Sequence, residues 1–132
     1  MTPQICWLAA TVFMTALFWV PCIIDRVAVR GLWATISDRG PENGPHSQWG
    51  ERAIKAHRNA VENLVIFAPL VLIAQTHGMT SPLLGTAAMV YFFARLAHFL
   101  VYCLGLPVLR TLTFTAGWIV QMVFVAAIFG WI

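Results

Sequence analysis

Polar and charged side chains of this chain gather in three groups whose spacing could build a binding site. The first group is a stripe on one predicted helix, with steps of three, four and three residues: Arg52, Lys55, Asn59 and Glu62. Side chains three and four residues apart are neighbours on a helix surface, so Arg58 can also pair with Glu62, four residues later. The stripe brings several cations together with an amide and one carboxylate.

The other two groups lie on either side of a short predicted turn. The second group shares one helical face, at positions i, i+3 and i+7: Arg95, His98 and Tyr102. The third group begins the next helix and continues one helical turn further on: Arg110, Thr111 and Phe114. By their positions along the chain, all three groups are expected near the same end of a helical bundle.

The residue types of these groups suit a small zwitterion with more than one carboxylate and one amine. Guanidinium groups bind carboxylates in a bidentate manner, and Glu62 could take an ammonium. Arg110, beside Tyr102 and Thr111, could stabilise a thiolate, because an adjacent cation lowers the pKa of a thiol. The cysteines and histidines show no zinc-binding spacing, and we expect no metal.

Each group also has a simpler interpretation. Four cations near predicted helix ends could contact lipid headgroups: Arg26, Arg30, Arg39 and Arg52. Arg95 lies inside a span and could instead satisfy backbone carbonyls or pair with Glu62. His98 could be a ligand-binding residue or a histidine that packs in the core.

The composition of the chain indicates that membrane-spanning helices position these groups. Of the 132 residues, 60% are hydrophobic and 10% are charged, whereas a soluble domain has about 25% charged residues. This composition excludes a soluble enzyme and a disordered chain. A net charge of +3 also argues against a nucleic-acid-binding protein, so we expect no nucleic-acid partner.

The hydropathy pattern predicts an all-α, integral-membrane four-helix bundle in a single domain over residues 1–132. About 20 apolar residues of helix cross a bilayer, and four predicted helices reach that length: about 5–30, 50–76, 82–104 and 108–132. Asp25, Arg26 and Arg30 close the first span. The polar stretch from Gly31 to Gly50 is expected to be a loop. Segments of alternating polarity, which a membrane barrel requires, are absent from the sequence.

The distribution of Lys and Arg predicts the orientation in the membrane. Cations cluster around the first connection, and Arg110 flanks the third, whereas the second connection and the N-terminal stretch carry none. Because cytoplasmic loops are enriched in Lys and Arg, both termini should lie outside, with the first and third connections in the cytosol.

Two segments resemble the MAPEG family, the membrane-associated proteins of eicosanoid and glutathione metabolism. ERAIKAHRNAVENLVIF, residues 51–67, is similar to the family signature E-R-x-x-R-A-H-R-N-x-x-E, with Lys55 in place of an Arg. ARLAHFLVYCLGLPVLRTLTF, residues 94–114, resembles a second signature, R-x-x-H-x-x-x-Y followed by a Pro and an Arg-Ser/Thr pair. The two motifs occur in the family's order, and the resemblance covers nearly the whole chain.

The resemblance implies a homotrimer that binds glutathione, its co-substrate, between neighbouring subunits. One subunit would contribute Arg58, Asn59 and Glu62. The next would contribute four residues: His98, Tyr102, Arg110 and Thr111. Arg110 would be the catalytic residue that holds the sulfur as thiolate. The expected glutathione-binding residues are Arg26, Lys55, Arg58, Asn59, Glu62, Arg95, His98, Tyr102 and Thr111, with Arg30 competing for the place of Arg26.

The expected function is that of a membrane-bound glutathione transferase, with peroxidase activity as a further expectation. Its second substrate would be a lipophilic electrophile or hydroperoxide that arrives from the membrane lipid. Phe114 stands where some eicosanoid-making members have a Tyr, which weakens an assignment to prostaglandin or leukotriene synthesis. The short loops resemble those of bacterial members, so we expect a bacterial inner membrane.

Two other functions fit parts of the pattern. A MAPEG-like protein could bind lipid or a protein partner without catalysis, although here the polar residues of the glutathione site are present. A small drug/proton antiporter is a third interpretation, but such proteins need a carboxylate in the first helix, and Ile5 to Ile24 has none.

Overall fold

The computed structural model describes residues 1–37 and 47–132, and these residues form helices and connecting turns. In chain order the helices are α1 (Pro3–Leu17), α2 (Trp19–Arg30), α3 (Leu32–Ser37), α4 (Gln48–Thr76), α5 (Pro82–Leu104) and α6 (Pro107–Ile128). Four stretches are long and apolar enough to cross a membrane: Pro3–Arg30, Gln48–Thr76, Pro82–Leu104 and Pro107–Ile128. The predicted all-α class is confirmed. Arg39 lies outside the described residues.

The first span is interrupted at Phe18, where an unbroken helix over 5–30 was predicted. The cause is Pro21, which has no N–H to donate to the carbonyl of Leu17 and whose ring crowds that carbonyl. The N–H of Phe18 is shared between the carbonyls of Met14, at 3.1 Å, and Thr15, at 3.2 Å. The first span therefore consists of α1 and α2, which meet at this break.

The stretch predicted as a loop, Gly31 to Gly50, differs from the structure at both ends. Leu32–Ser37 is a short helix that follows Gly31, whose φ of +84° ends α2. Helix α4 already begins at Gln48, with the Ser47 hydroxyl accepting a hydrogen bond from the Gly50 N–H at 3.1 Å. Six residues are too few for a helical period to emerge from the sequence pattern, so the short helix could not be recognised.

Aromatic stacking holds the long helices together in two layers. In one layer the ring of Phe67 on α4 stacks on Tyr91 of α5, with centroids 3.7 Å apart, and meets the edge of Phe124 on α6. In the other layer Phe18 stacks on Phe99 of α5 at 3.8 Å. Here α4 buries small residues, Ala56 among them, which allow a close approach of the helices.

The outward surfaces of the long helices are strongly apolar. Large hydrophobic side chains on α1, α4, α5 and α6 are exposed along their length, as lipid-facing positions of a bundle are. The buried polar groups lie instead between the helices. The bundle therefore presents an apolar exterior and concentrates its chemistry in a few polar clefts.

Candidate functional site

One cleft brings together residues of α4, α5 and α6 from all three groups found in the sequence. It has a volume of about 190 Å³ and is lined by Asn59, His98, Tyr102, Arg110, Thr111 and Phe114. We call this the Arg110 cleft. The turn between α5 and α6 is short, so the end of one helix and the start of the next face the same space. That turn makes the second and third groups neighbours.

Arg110 stands in the first turns of α6 with its guanidinium over the ring of Tyr102. The Cζ atom of Arg110 lies 5.0 Å from the ring centroid, a cation–π contact that orients the charge. Pro107 occupies the first helical position, where its missing N–H costs no hydrogen bond. Arg110 is exposed, so its charge is available to a ligand in the cleft.

His98 is buried beneath this pair and has a defined tautomer. Its Nδ1 atom lies 3.1 Å from the Arg110 carbonyl oxygen and 3.1 Å from the Thr113 hydroxyl. Because a carbonyl can only accept a hydrogen bond, we assign the ring proton to Nδ1. In the neutral ring Nε2 is then an acceptor, and it is buried with no partner in the part of the chain that the structure describes. His98 thus ties α5 to α6 and keeps one acceptor unused.

Arg95 does not line the Arg110 cleft but is hydrogen-bonded to Asn59, which does. Arg95 is only 3% exposed, and its Nη2 donates to the Asn59 side-chain oxygen at 2.5 Å. Arg95 Nε and Nη1 have no hydrogen-bond partner among the described residues. A buried guanidinium without a counter-charge is costly, and an anionic group that reached it would be strongly favoured. Among the described residues, the acceptor for Arg95 is the side-chain oxygen of Asn59, and neither of the expected alternatives, a backbone carbonyl or Glu62, takes that place.

A second cleft lies on another side of α4 and takes two of the predicted residues. It has a volume of about 410 Å³ and is lined by Trp19, Ile54, His57, Arg58, Val61 and Glu62. We call it the Glu62 cleft. The ring of Trp19 lies 4.2 Å from that of His57 and forms one wall. The stripe predicted on α4 therefore divides, with Asn59 facing α5 and α6 while Glu62 faces outward.

The family comparison covers the helices that build both clefts. The sequence model of the MAPEG family matches residues 5–130, nearly the whole chain. The chain belongs to the MAPEG family. The family includes glutathione transferases, and some of its members are non-catalytic. No curated protein matches the chain. Membership and the four spanning helices together indicate a multi-pass membrane protein.

Within this MAPEG chain, the predicted site residues divide into four sets. Five line the Arg110 cleft: Asn59, His98, Tyr102, Arg110 and Thr111. Two line the Glu62 cleft, and Arg95 lines neither cleft but is hydrogen-bonded to Asn59. Lys55 is exposed and Arg26 is half-buried, and neither lines a described cleft. Asn59 thus groups with the α5 and α6 residues, although the resemblance placed it with Arg58 and Glu62.

Sequence reasoning missed the role of Asp25, which was expected only to close the first span. Its carboxylate is 1% exposed and accepts a hydrogen bond from the Ser47 hydroxyl. A Cβ atom at Gly50 would overlap this carboxylate, so only a glycine at this position leaves room for Asp25 at the start of α4. The negative charge suits the N-terminal end of a helix. The single signal in the sequence was a carboxylate next to an apolar run.

An apolar groove adjoins the Arg110 cleft in this MAPEG chain. It is lined by Pro107, Val108, Thr111 and Leu112, and Thr111 belongs to both spaces. Val108 and Leu112 are 71% and 60% exposed. The polar cleft therefore opens next to a surface suited to lipid.

Proposed function

We propose that the protein is a membrane-bound glutathione transferase, with peroxidase activity toward lipophilic hydroperoxides. The observation that carries the proposal is the exposed guanidinium of Arg110 over the ring of Tyr102, in a cleft whose lining residue Asn59 is hydrogen-bonded to the buried Arg95. One exposed cation in the cleft and one buried cation hydrogen-bonded to its lining residue Asn59 suit a ligand that carries several anionic groups. Because the chain belongs to the MAPEG family, we propose that this ligand is glutathione.

Arg110 is the proposed catalytic residue. In the transferase reaction, the glutathione thiol loses its proton to solvent and the guanidinium stabilises the resulting thiolate. The sulfur then forms a bond to the electrophilic carbon, and the leaving group departs with its electron pair. With a hydroperoxide, the thiolate attacks the terminal oxygen, the O–O bond breaks, and an alcohol and a sulfenate form. After the sulfenate takes up a proton from solvent, the thiol of a second glutathione attacks its sulfur, and the disulfide and water form.

We further propose that the active unit is a homotrimer in which two chains share each site. A cleft of about 190 Å³ is smaller than the 300–1,000 Å³ that is usual for small-molecule sites, so one chain offers only part of a site. Arg58 and Glu62 line an outward-facing cleft on the same chain. Docking of the Glu62 cleft of one subunit onto the Arg110 cleft of the next would add a carboxylate and a guanidinium.

Glutathione would then contact both subunits at named positions. Glu62 would bind its ammonium, while Arg58 and Arg95 would bind its carboxylates. The lipophilic substrate would reach the sulfur through the groove of Val108 and Leu112. We propose the predicted orientation, with both termini outside, because it keeps this end of the bundle on the cytosolic side. A bacterial inner membrane fits that arrangement.

Ultraviolet absorbance of the thiolate tests the proposal without a choice of second substrate. The detergent-purified protein should develop a thiolate band on mixing with glutathione at neutral pH, and Arg110→Ala should lose it. Thr115→Val, one helical turn further along α6 and outside the cleft lining, is the matched control and should keep the band.

The other outcomes separate the alternatives. Binding of glutathione by calorimetry without a band in the wild type would contradict the transferase mechanism. Neither binding nor a band would favour a non-catalytic member that binds lipid or a protein partner. An unchanged band in Arg110→Ala would remove Arg110 from its proposed role.

A further inference from the structure

Helix α5 ends in a C-terminal capping motif that leaves the Cys103 carbonyl without a partner in its own helix. The N–H of Gly105 donates to the Tyr102 carbonyl, and that of Leu106 to the Val101 carbonyl, both at 3.1 Å. Gly105 has the left-handed conformation that the motif requires, with a φ of +73°. The carbonyl of Cys103, between these acceptors and the glycine, receives neither of the two motif bonds.

Arg52 of α4 supplies the missing donor from across the bundle. Its Nε donates to the Cys103 carbonyl oxygen at 2.8 Å. The guanidinium also packs on Gly105, since a Cβ atom there would lie 3.5 Å from Nε. A cation is favourable at the C-terminal end of a helix, where the unpaired carbonyls carry partial negative charge. Arg52 therefore binds the end of α5 both through a hydrogen bond and through charge.

The segment that Arg52 holds carries the central contact of the Arg110 cleft. Tyr102, whose ring lies under the Arg110 guanidinium, precedes Cys103 directly. The N–H of Arg110 donates to the carbonyl of Leu106, the residue that closes the capping motif. Any shift of this turn would therefore move Arg110 relative to the ring that orients it.

We propose that Arg52 is a positioning residue that fixes the α5–α6 turn and, through it, places Arg110 over Tyr102. The structural part of this inference stands on the contacts of Arg52 alone. Its catalytic consequence rests on the proposed function, because only then does the placement of Arg110 control thiolate formation. The sequence offered contact with lipid headgroups as the simpler role for Arg52, and the two roles predict different behaviour of substitutions.

Two uncharged substitutions separate the hydrogen bond from the charge. The side-chain amide nitrogen of a glutamine is bonded to Cδ, as is Arg Nε, so Arg52→Gln keeps a donor at the same position in the side chain. Arg52→Met has similar length and no donor. Both variants lose the positive charge equally, so any effect on lipid contact or membrane orientation is the same in both. Glu51→Gln, at the exposed neighbouring position, is the control for disturbance of α4.

Hydrogen exchange of the amides at 104–110, followed by mass spectrometry in detergent, is the primary measurement. In Arg52→Met these amides should exchange about tenfold faster than in the wild type, the scale expected for loss of a hydrogen bond from a charged donor. In Arg52→Gln the rates should rise less, by about twofold to fivefold, because the donor to Cys103 remains while the charge is lost. In Glu51→Gln they should stay within about twofold of wild type. The thiolate band should fall in Arg52→Met and be retained in Arg52→Gln, with the calorimetric affinity for glutathione changing less than the band.

Two results would overturn the proposal: unchanged exchange in Arg52→Met, or equally fast exchange in Arg52→Gln and Arg52→Met. If Arg52→Met does not fold, Arg52→Lys replaces it, since Lys keeps the charge. Because Lys carries its donor one carbon beyond the position of Nε, exchange in Arg52→Lys as slow as in the wild type would then overturn the proposed role of the Nε hydrogen bond. If wild-type protein shows no glutathione response, the proposed function fails, and the exchange rates still decide whether Arg52 holds the turn.

Discussion

At the scale of single residues, the Asn59–Arg95 pair decides how the bundle accommodates a buried charge. Arg95 is 3% exposed and receives one neutral acceptor from the Asn59 amide. An amide compensates a guanidinium less completely than a carboxylate does. The pair therefore leaves an attraction for anions unsatisfied, which a structural ion pair would have removed.

Two substitutions of similar size at Asn59 should separate the stability of the fold from the binding of glutathione. Asn59→Leu leaves Nη2 of Arg95 without an acceptor and should destabilise the fold by about 2 kcal/mol, lowering the midpoint of thermal unfolding in detergent. Asn59→Asp gives Arg95 a counter-ion, so it should preserve that midpoint but weaken glutathione binding, measured by calorimetry, about tenfold or more. Equal midpoints for the Leu variant and the wild type would show that Arg95 is satisfied by other means.

At the scale of helices, two glycines differ in whether the surrounding atoms leave room for a side chain. Gly50 lies at the start of α4, where a Cβ would overlap the carboxylate of Asp25. Gly117 lies within α6, where a Cβ would meet Arg95 Cδ at 3.4 Å, an ordinary van der Waals distance. The first glycine is required by packing, whereas the second is not.

The same substitution at these two glycines should therefore change stability with opposite signs. Gly50→Ala should destabilise the protein by about 1–3 kcal/mol, because a buried carboxylate and the start of α4 must move apart. Gly117→Ala should be neutral or stabilising by up to about 1 kcal/mol, since alanine has the higher helix propensity. Thermal unfolding of both variants in one detergent measures the contrast. A lower midpoint of thermal unfolding for Gly117→Ala than for the wild type would contradict this prediction. It would show that α5 and α6 cannot move apart by the few tenths of an ångström that the added methyl group needs.

The helices and the site differ in how far the sequence could predict them. Hydropathy located the four spanning stretches, because a helix needs about 20 apolar residues to cross the hydrocarbon core of a bilayer. The break at Phe18 was missed, although Pro21 was its visible cause. Helical spacing correctly joined Arg95 and His98 on α5, but it could not separate Asn59 from Glu62. The spacing within α4 shows which side chains are neighbours on its surface. It does not show which of them face α5 and α6, because that depends on how the helices pack.

At the scale of the whole molecule, Arg58 and Glu62 place charged groups on an outward-facing surface of the chain. Arg58 and Glu62 are exposed along a membrane-spanning helix, where charged side chains are costly unless they are covered or hydrated. The Arg110 cleft lies between α4, α5 and α6 of the same chain. The proposed trimer brings these two surfaces together.

Complementation between inactive chains tests the shared site. Arg58→Ala and Arg110→Ala should each abolish glutathione transfer alone. If each site takes one residue from each of two neighbours, coexpression in equal amounts should restore about one quarter of wild-type activity, since one interface in four combines two intact halves. Coexpression of Arg110→Ala with itself under a second tag is the control. No recovery in mixed oligomers, isolated through both tags, would place the whole site within one chain.

The groove formed by Val108 and Leu112 beside the Arg110 cleft has a consequence for pharmacology. A compound that reaches the sulfur through this groove dissolves first in the bilayer, so its effective concentration is its mole fraction in lipid. Added lipid or detergent dilutes such a compound without any change in its total amount. The potency of an inhibitor would then be a property of the compound and the membrane together, and a value measured in micelles would not transfer to a cell.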